Sequence, residues 1–125
     1  MFELSKQFRF DAAHTLECEA HTEANRRIHG HSYRAEVTVR GVPDAKSGML
    51  IDLGVFERAL DDTRHTLDHR MLNDIEGLGP PTLENISAWI WRRLTPVIKD
   101  LTKVAVYRDG SGDACIYHGP GKAAA

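Results

Sequence analysis

His29-Gly30-His31-Ser32-Tyr33-Arg34-Ala35-Glu36-Val37-Thr38-Val39-Arg40 is the stretch on which the fold turns. From Tyr33 onward it alternates apolar and polar side chains, the period of a β-strand with one covered face. Residues two apart in a strand point the same way, roughly 6.5 to 7 Å from one another. His29 and His31 therefore share a side with Tyr33, Ala35, Val37 and Val39, while Arg34, Glu36, Thr38 and Arg40 face the other way. Two imidazoles converge at the mouth of a buried surface.

Working outward, an earlier run ends in a histidine of matching parity. Phe2, Leu4, Phe8, Phe10 and Ala12 are apolar at even positions, with Lys6 the exception, and His14 continues that series. Glu3, Ser5, Gln7, Arg9 and Asp11 fill the odd positions. If the two runs pair as neighbouring strands, His14 reaches the face of His29 and His31. Three imidazoles with an open fourth position form a catalytic zinc arrangement, whereas structural sites close all four positions. His14, His29 and His31 are thus the expected ligands of a Zn2+ ion.

Composition sets the frame. A chain of 125 residues suits one domain, large enough for a core without disulfides. Hydrophobic content of 42%, charged content of 27% and a net charge of −2 are ordinary for a globular protein. With no basic stripe, neither nucleic acid nor an anionic membrane is expected as a partner. No apolar run approaches the roughly 18 residues of a membrane span, and the start carries no leader pattern, so the expected location is cytoplasmic. Cys18 and Cys115 make no disulfide framework. Seven histidines are the one outlier.

The rest of the chain reads in order. A polar, irregular loop spans Thr15 to Ile28, long enough to be functional and placed to overhang the histidines. The second strand ends near Gly41-Val42-Pro43-Asp44. Asp52 is a cap for a helix over about Leu53 to His65, whose stripe is Val55, Phe56, Ala59, Leu60 and Thr63. A polar cluster, Leu67-Asp68-His69-Arg70-Met71-Leu72-Asn73, follows. Thr82 caps a second helix over about Leu83 to Lys99, with Glu84 in its first turn, Trp89 in the core and Val97 in its stripe. Pro96 predicts a kink or an early end there. Lys103 to Arg108 and Asp113 to His118 form a hairpin across Asp109-Gly110-Ser111-Gly112. The single domain covers residues 1–119, and residues 120–125 are expected to be a disordered tail.

Read together, Phe10-Asp11-Ala12-Ala13-His14, His29-Gly30-His31-Ser32-Tyr33, Gly48-Met49-Leu50-Ile51-Asp52, Leu67 to Asn73, Pro81-Thr82-Leu83-Glu84-Asn85 and Cys115-Ile116-Tyr117 resemble the 6-pyruvoyltetrahydropterin synthase family. Within it the likeness is nearest to the bacterial 6-carboxytetrahydropterin synthases that feed queuosine and other deazapurine pathways. It covers about Met1 to Gly119. The resemblance implies an α+β tunnelling fold (ββααββ): a four-stranded antiparallel sheet with two helices on one face. It also implies that three subunits close a barrel and that two trimers stack into a hexamer with active sites between subunits. Barrel closure would remove exposed sheet edges.

Carried over by resemblance, His14, His29 and His31 are the zinc ligands, and Asp68 and His69 are a proton relay in which the carboxylate orients the imidazole. The family anchors its pterin ring through a glutamate near the third and fourth strands, a position filled here by Asp109. Glu84 and Asn25 complete the implied substrate contacts. The chain also departs from the pattern. Members acting on dihydroneopterin triphosphate carry a basic cysteine where this sequence has Asn25, and a folate-linked branch carries a glutamate where it has Arg26. An amide cannot deprotonate carbon. Cys18, His21 and Glu23 are the alternative bases in the loop, and Cys115 is a packing residue. The implied function is a zinc-dependent lyase acting on 7,8-dihydroneopterin triphosphate or a related pterin. The alternatives are a diverged enzyme with another substrate and a pterin- or metal-binding protein without chemistry.

Overall fold

The computed structural model describes residues 1–17, 23 and 26–121. Strands β1 (Phe2–His14) and β2 (His29–Gly41) run antiparallel over their full length, with Phe2 opposite Gly41 at one end and His14 opposite His29 at the other. Strands β3 (Leu101–Arg108) and β4 (Asp113–Tyr117) extend the sheet in the order β1-β2-β3-β4, each pair antiparallel. Helices α1 (Leu53–Leu67) and α2 (Leu83–Leu94) share one core with the sheet's apolar face. This is the expected four-stranded sheet with two helices.

The parity of the strands decides which face the helices cover. Phe8, Phe10, Ala12 and His14 of β1 and Tyr33, Ala35, Val37 and Val39 of β2 are buried, and Val104 and Val106 of β3 continue the same surface. Phe56, Leu60 and Leu67 of α1 and Ile86, Trp89, Ile90 and Leu94 of α2 close over it. Each such side chain contributes about 1.5–3 kcal/mol when fully buried. The opposite face is polar, and its buried Thr38 shares a hydrogen bond of 2.7 Å with Ser5.

Local chemistry sets the helix ends. The Asp52 carboxylate accepts from the backbone N–H groups of Gly54 and Val55, and Thr82 Oγ1 accepts from that of Asn85. Helix α1 runs two residues beyond its expected end, to Leu67, which is fully buried. Helix α2 ends at Leu94 rather than near Lys99, because Pro96 has no N–H to extend the ladder. Val97 consequently leaves the stripe and is 61% exposed; Val55, in the first turn of α1, is also exposed. Trp89 lies in the core as expected. A 3-10 turn at Leu72–Asp74, which the hydrophobic pattern does not signal, follows α1.

The segment between α1 and that turn runs along the outer edge of β1. His69 N–H donates to the Asp11 carbonyl at 2.7 Å, Ala13 N–H donates to the Arg70 carbonyl at 3.0 Å, and Met71 forms a parallel bridge with Ala13. The polar cluster is thereby laid against the end of the sheet that carries the histidines. Residues 122–125 of the expected tail lie outside the described residues.

Candidate metal centre

Register and parity assemble the three histidines without help from the loops. His14 and His29 are direct cross-strand partners, and His31 sits opposite Ala12 on the same face. Their rings stand 4.5 to 4.9 Å apart centre to centre and nearly perpendicular. One potential ligand atom from each lies within 4.8 Å of the others.

The tautomers follow from the outer contacts. His14 Nδ1 lies 3.1 Å from the Pro81 carbonyl and His29 Nδ1 lies 2.8 Å from the Arg27 carbonyl. A carbonyl only accepts, so both Nδ1 atoms carry the proton and both Nε2 atoms carry a lone pair. Those two Nε2 atoms are 2.9 Å apart. Two lone pairs at that distance repel unless a cation or proton lies between them. Tetrahedral zinc–nitrogen bonds would hold ligand atoms about 3.3 Å apart, so the donor set fits a divalent ion after a small adjustment. Burial lowers the His14 pKa, and burial followed by the Arg108 charge lowers that of His31 to about 4. Near neutral pH both rings are therefore in the neutral form that binds metals.

Arg108 is the site residue that sequence reasoning missed. Its Nη1 lies 3.2 Å from His31 Nε2, and its Nη2 donates to Asp113 Oδ2 at 2.6 Å. Asp113 also accepts from Ser111 Oγ at 2.7 Å; Ser111 first and Arg108 second hold its pKa below the usual carboxylate value. Arg108 Nε and the Tyr33 hydroxyl are buried without a hydrogen-bond partner among the described residues. Burial pushes the Tyr33 pKa up to about 12. The available signal was parity: Arg108 continues the series Val104, Val106 onto the histidine face.

Asp68 and His69 form a pair at the neighbouring edge. Asp68 Oδ1 accepts the backbone N–H of Asp11 at 2.9 Å, and this bond is the main cause of its depressed pKa. Asp68 Oδ2 lies 3.0 Å from both His69 Nδ1 and Arg64 Nη2. His69 has φ 58, a left-handed conformation unusual for a side-chain-bearing residue. Its ring is 80% exposed, and with His31, Asp11, Gly30, Ser32 and Met71 it borders a cleft of about 540 Å³.

The remaining expected residues lie elsewhere. Asp109 sits on the polar face, where Arg34 grips both its oxygens at 3.0 and 3.1 Å and Arg9 approaches to 3.5 Å. Arg34 lowers its pKa. Glu84 is exposed in the first turn of α2. Glu23 is exposed and paired with Arg27 at 2.9 Å. Asn25, Cys18 and His21 lie outside the described residues.

Comparison with known proteins places this arrangement. The 6-pyruvoyl tetrahydropterin synthase family model matches residues 3–120. The 6-carboxy-5,6,7,8-tetrahydropterin synthase of Synechocystis sp. is 40% identical over 99 residues, covering 75% of each chain. The protein of the same name from Bacillus subtilis is 30% identical over 127 residues, covering 93% of this chain and 84% of the relative. The structure of Caenorhabditis elegans 6-pyruvoyl tetrahydropterin synthase superposes with a TM-score of 0.81 at 28% identity, covering 94% of this chain and 95% of the other. The matched residues 3–120 take in all of the sheet but Phe2, both helices and all three histidines: the chain belongs to the 6-pyruvoyl tetrahydropterin synthase family.

Proposed function

We propose that this chain is a zinc-dependent lyase of the pterin-synthase type, acting on 7,8-dihydroneopterin triphosphate or a closely related pterin. The observation that carries the reading is the facing pair of His14 and His29 lone pairs with His31 beside them. His14, His29 and His31 would hold the ion, which when bound polarises and acidifies substrate hydroxyl groups. The family membership and the pterin synthases among the relatives support the substrate class.

Asp68 and His69 account for one of the proton movements. Asp68 accepts the Nδ1 proton of His69, which leaves His69 Nε2 free to take a proton. Because Asp68 is itself held by the Asp11 backbone and by Arg64, the imidazole is oriented before substrate arrives. The open cleft beside it is wide enough for a bicyclic ring. Both outer strands of the sheet, β1 and β4, retain an edge over most of their length, which supports closure with further copies into a barrel trimer and a hexamer.

A second reading is favoured by Asp109. Its two oxygens are already held by Arg34, so a pterin's amino-amide edge would have to share them with that guanidinium. That favours a pocket altered for a different heterocycle, as does Asn25 in the cysteine position. The deciding experiment incubates zinc-loaded protein with 7,8-dihydroneopterin triphosphate and follows triphosphate release. Turnover that disappears in His69→Ala supports the first reading. No turnover, with activity gained by Asn25→Cys, moves the natural substrate elsewhere.

A further inference from the structure

Arg108 takes the one lone pair that His31 can offer an ion. A guanidinium stays protonated and has only donors, so across the 3.2 Å contact Arg108 Nη1 donates and His31 Nε2 accepts. A neutral imidazole has a single unprotonated nitrogen. An ion bound at Nε2 would need that same lone pair. An ion bound at Nδ1 would leave the proton on Nε2, facing Nη1 donor to donor. In both cases the bond from Arg108 and a bond to metal exclude each other.

The other terminal nitrogen of the guanidinium is tethered. Arg108 and Asp113 are cross-strand partners at the closed end of the β3–β4 hairpin, and Nη2 donates to Asp113 at 2.6 Å while Ser111 steadies the carboxylate. Asp113 offsets part of the charge and holds one side of the guanidinium. The contact to His31 is the side that can be released. A second consequence is electrostatic: a cation kept beside the triad repels an arriving dication, and Asp113 offsets this only in part.

We propose that Arg108 is an internal competitor for the metal centre: it occupies His31 while the triad is empty of metal and is displaced as an ion binds, so it sets how tightly the site holds metal. The inference rests on the metal site proposed above. It makes Arg108 a positioning residue for His31 and gives the β3–β4 hairpin, which contributes no ligand, control over the affinity of a centre built on β1 and β2.

The test measures Zn2+ affinity of the full chain by competition with a chromophoric chelator, for the wild type and Arg108→Met, alongside NMR of the wild-type Arg108 guanidinium protons during zinc titration. Arg108→Met should bind zinc on the order of tenfold tighter or more, the scale of a hydrogen bond to a charged group. In the wild type, Nη1 protons protected in the metal-free protein should become exchangeable at one equivalent of zinc. Equal or weaker binding by Arg108→Met, with a metal-free circular dichroism spectrum matching the wild type, overturns the proposal. So do guanidinium signals that zinc leaves unchanged. Should neither protein bind zinc, the metal centre itself fails, and this inference with it.

Discussion

Asn73 holds Thr15 by both ends of its side-chain amide: Nδ2 donates to the Thr15 carbonyl at 3.2 Å, and Oδ1 accepts the Thr15 N–H at 2.9 Å. Thr15 directly follows the candidate ligand His14, and no regular strand pairing continues past that point. The amide therefore acts as a one-residue extension of the ladder, fixing the chain where it leaves the sheet. Asn73→Ala removes both bonds and should destabilise the protein by about 1–2 kcal/mol, read as a lower denaturant midpoint. Zinc affinity should fall with it, since His14 loses its backbone support. Asn73→Asp keeps the acceptor and loses the donor, so it should fall between the two.

The facing lone pairs of His14 and His29 predict effects of opposite sign with and without metal. In the metal-free protein they repel across 2.9 Å, and His29→Ala removes one of them. His29 is only half-buried, so little packing is lost. The metal-free variant should melt at the same temperature as the wild type or slightly higher. Excess zinc should then raise the melting temperature of the wild type but not of the variant, because only the native state with its three ligands gains from binding. A variant that loses stability without metal and still responds fully to zinc would contradict the ligand assignment.

Much of this centre was legible in the sequence because strand parity is a strict rule. Once β1 and β2 pair, the even series ending at His14 and the odd series starting at His29 must meet on one face, and they do. The same rule carried to β3 puts Arg108 with Val104 and Val106. Asp109, the first residue past the strand, instead turns to Arg34 on the polar face. Helix ends were less legible where they depend on packing: Leu67 extends α1 because it has a buried place to go, which hydrophobic spacing does not reveal. The 68–71 segment is the clearest case. Its side chains are polar and aperiodic, and its position comes from backbone bonds to Asp11 and Ala13 that no residue pattern encodes.

The depressed histidines set the acid limb of stability. In the folded chain His31 titrates near 4 and His14 below its ordinary value, whereas both titrate near 6.5 once unfolded. Between those values the unfolded state binds more protons, so stability is full above about pH 6.5 and declines as pH falls toward 4. Asp68, Asp109 and Asp113, whose folded pKa values lie below 3.8, extend the loss to lower pH. Thermal melts of the metal-free protein from pH 8 to pH 3 should show a plateau and then this decline. His31→Gln, which keeps an acceptor for Arg108 but cannot titrate, should flatten the upper part of the slope. A curve that is level from pH 7 to pH 4 would mean the rings are not held neutral by burial.

His69 separates strain from chemistry in one position. Its φ of 58 disfavours any residue with a Cβ, yet its ring is 80% exposed and contributes little packing. The backbone is fixed there by the bond from His69 N–H to Asp11 and by the bridge at Met71, so the conformation remains whatever side chain is present. His69→Gly should therefore match the wild type or gain up to about 1 kcal/mol, while His69→Ala keeps the strain, loses the Asp68 contact and should be no more stable than the wild type. Both variants lack the imidazole, so under the proposed lyase reaction both lose turnover while binding zinc as the wild type does. Equilibrium unfolding, zinc competition and triphosphate release, measured side by side, check this. If His69→Gly is the less stable of the two variants, the left-handed turn is not the strained element proposed here. If either variant retains turnover, the proton that Asp68 helps to move does not pass through this ring.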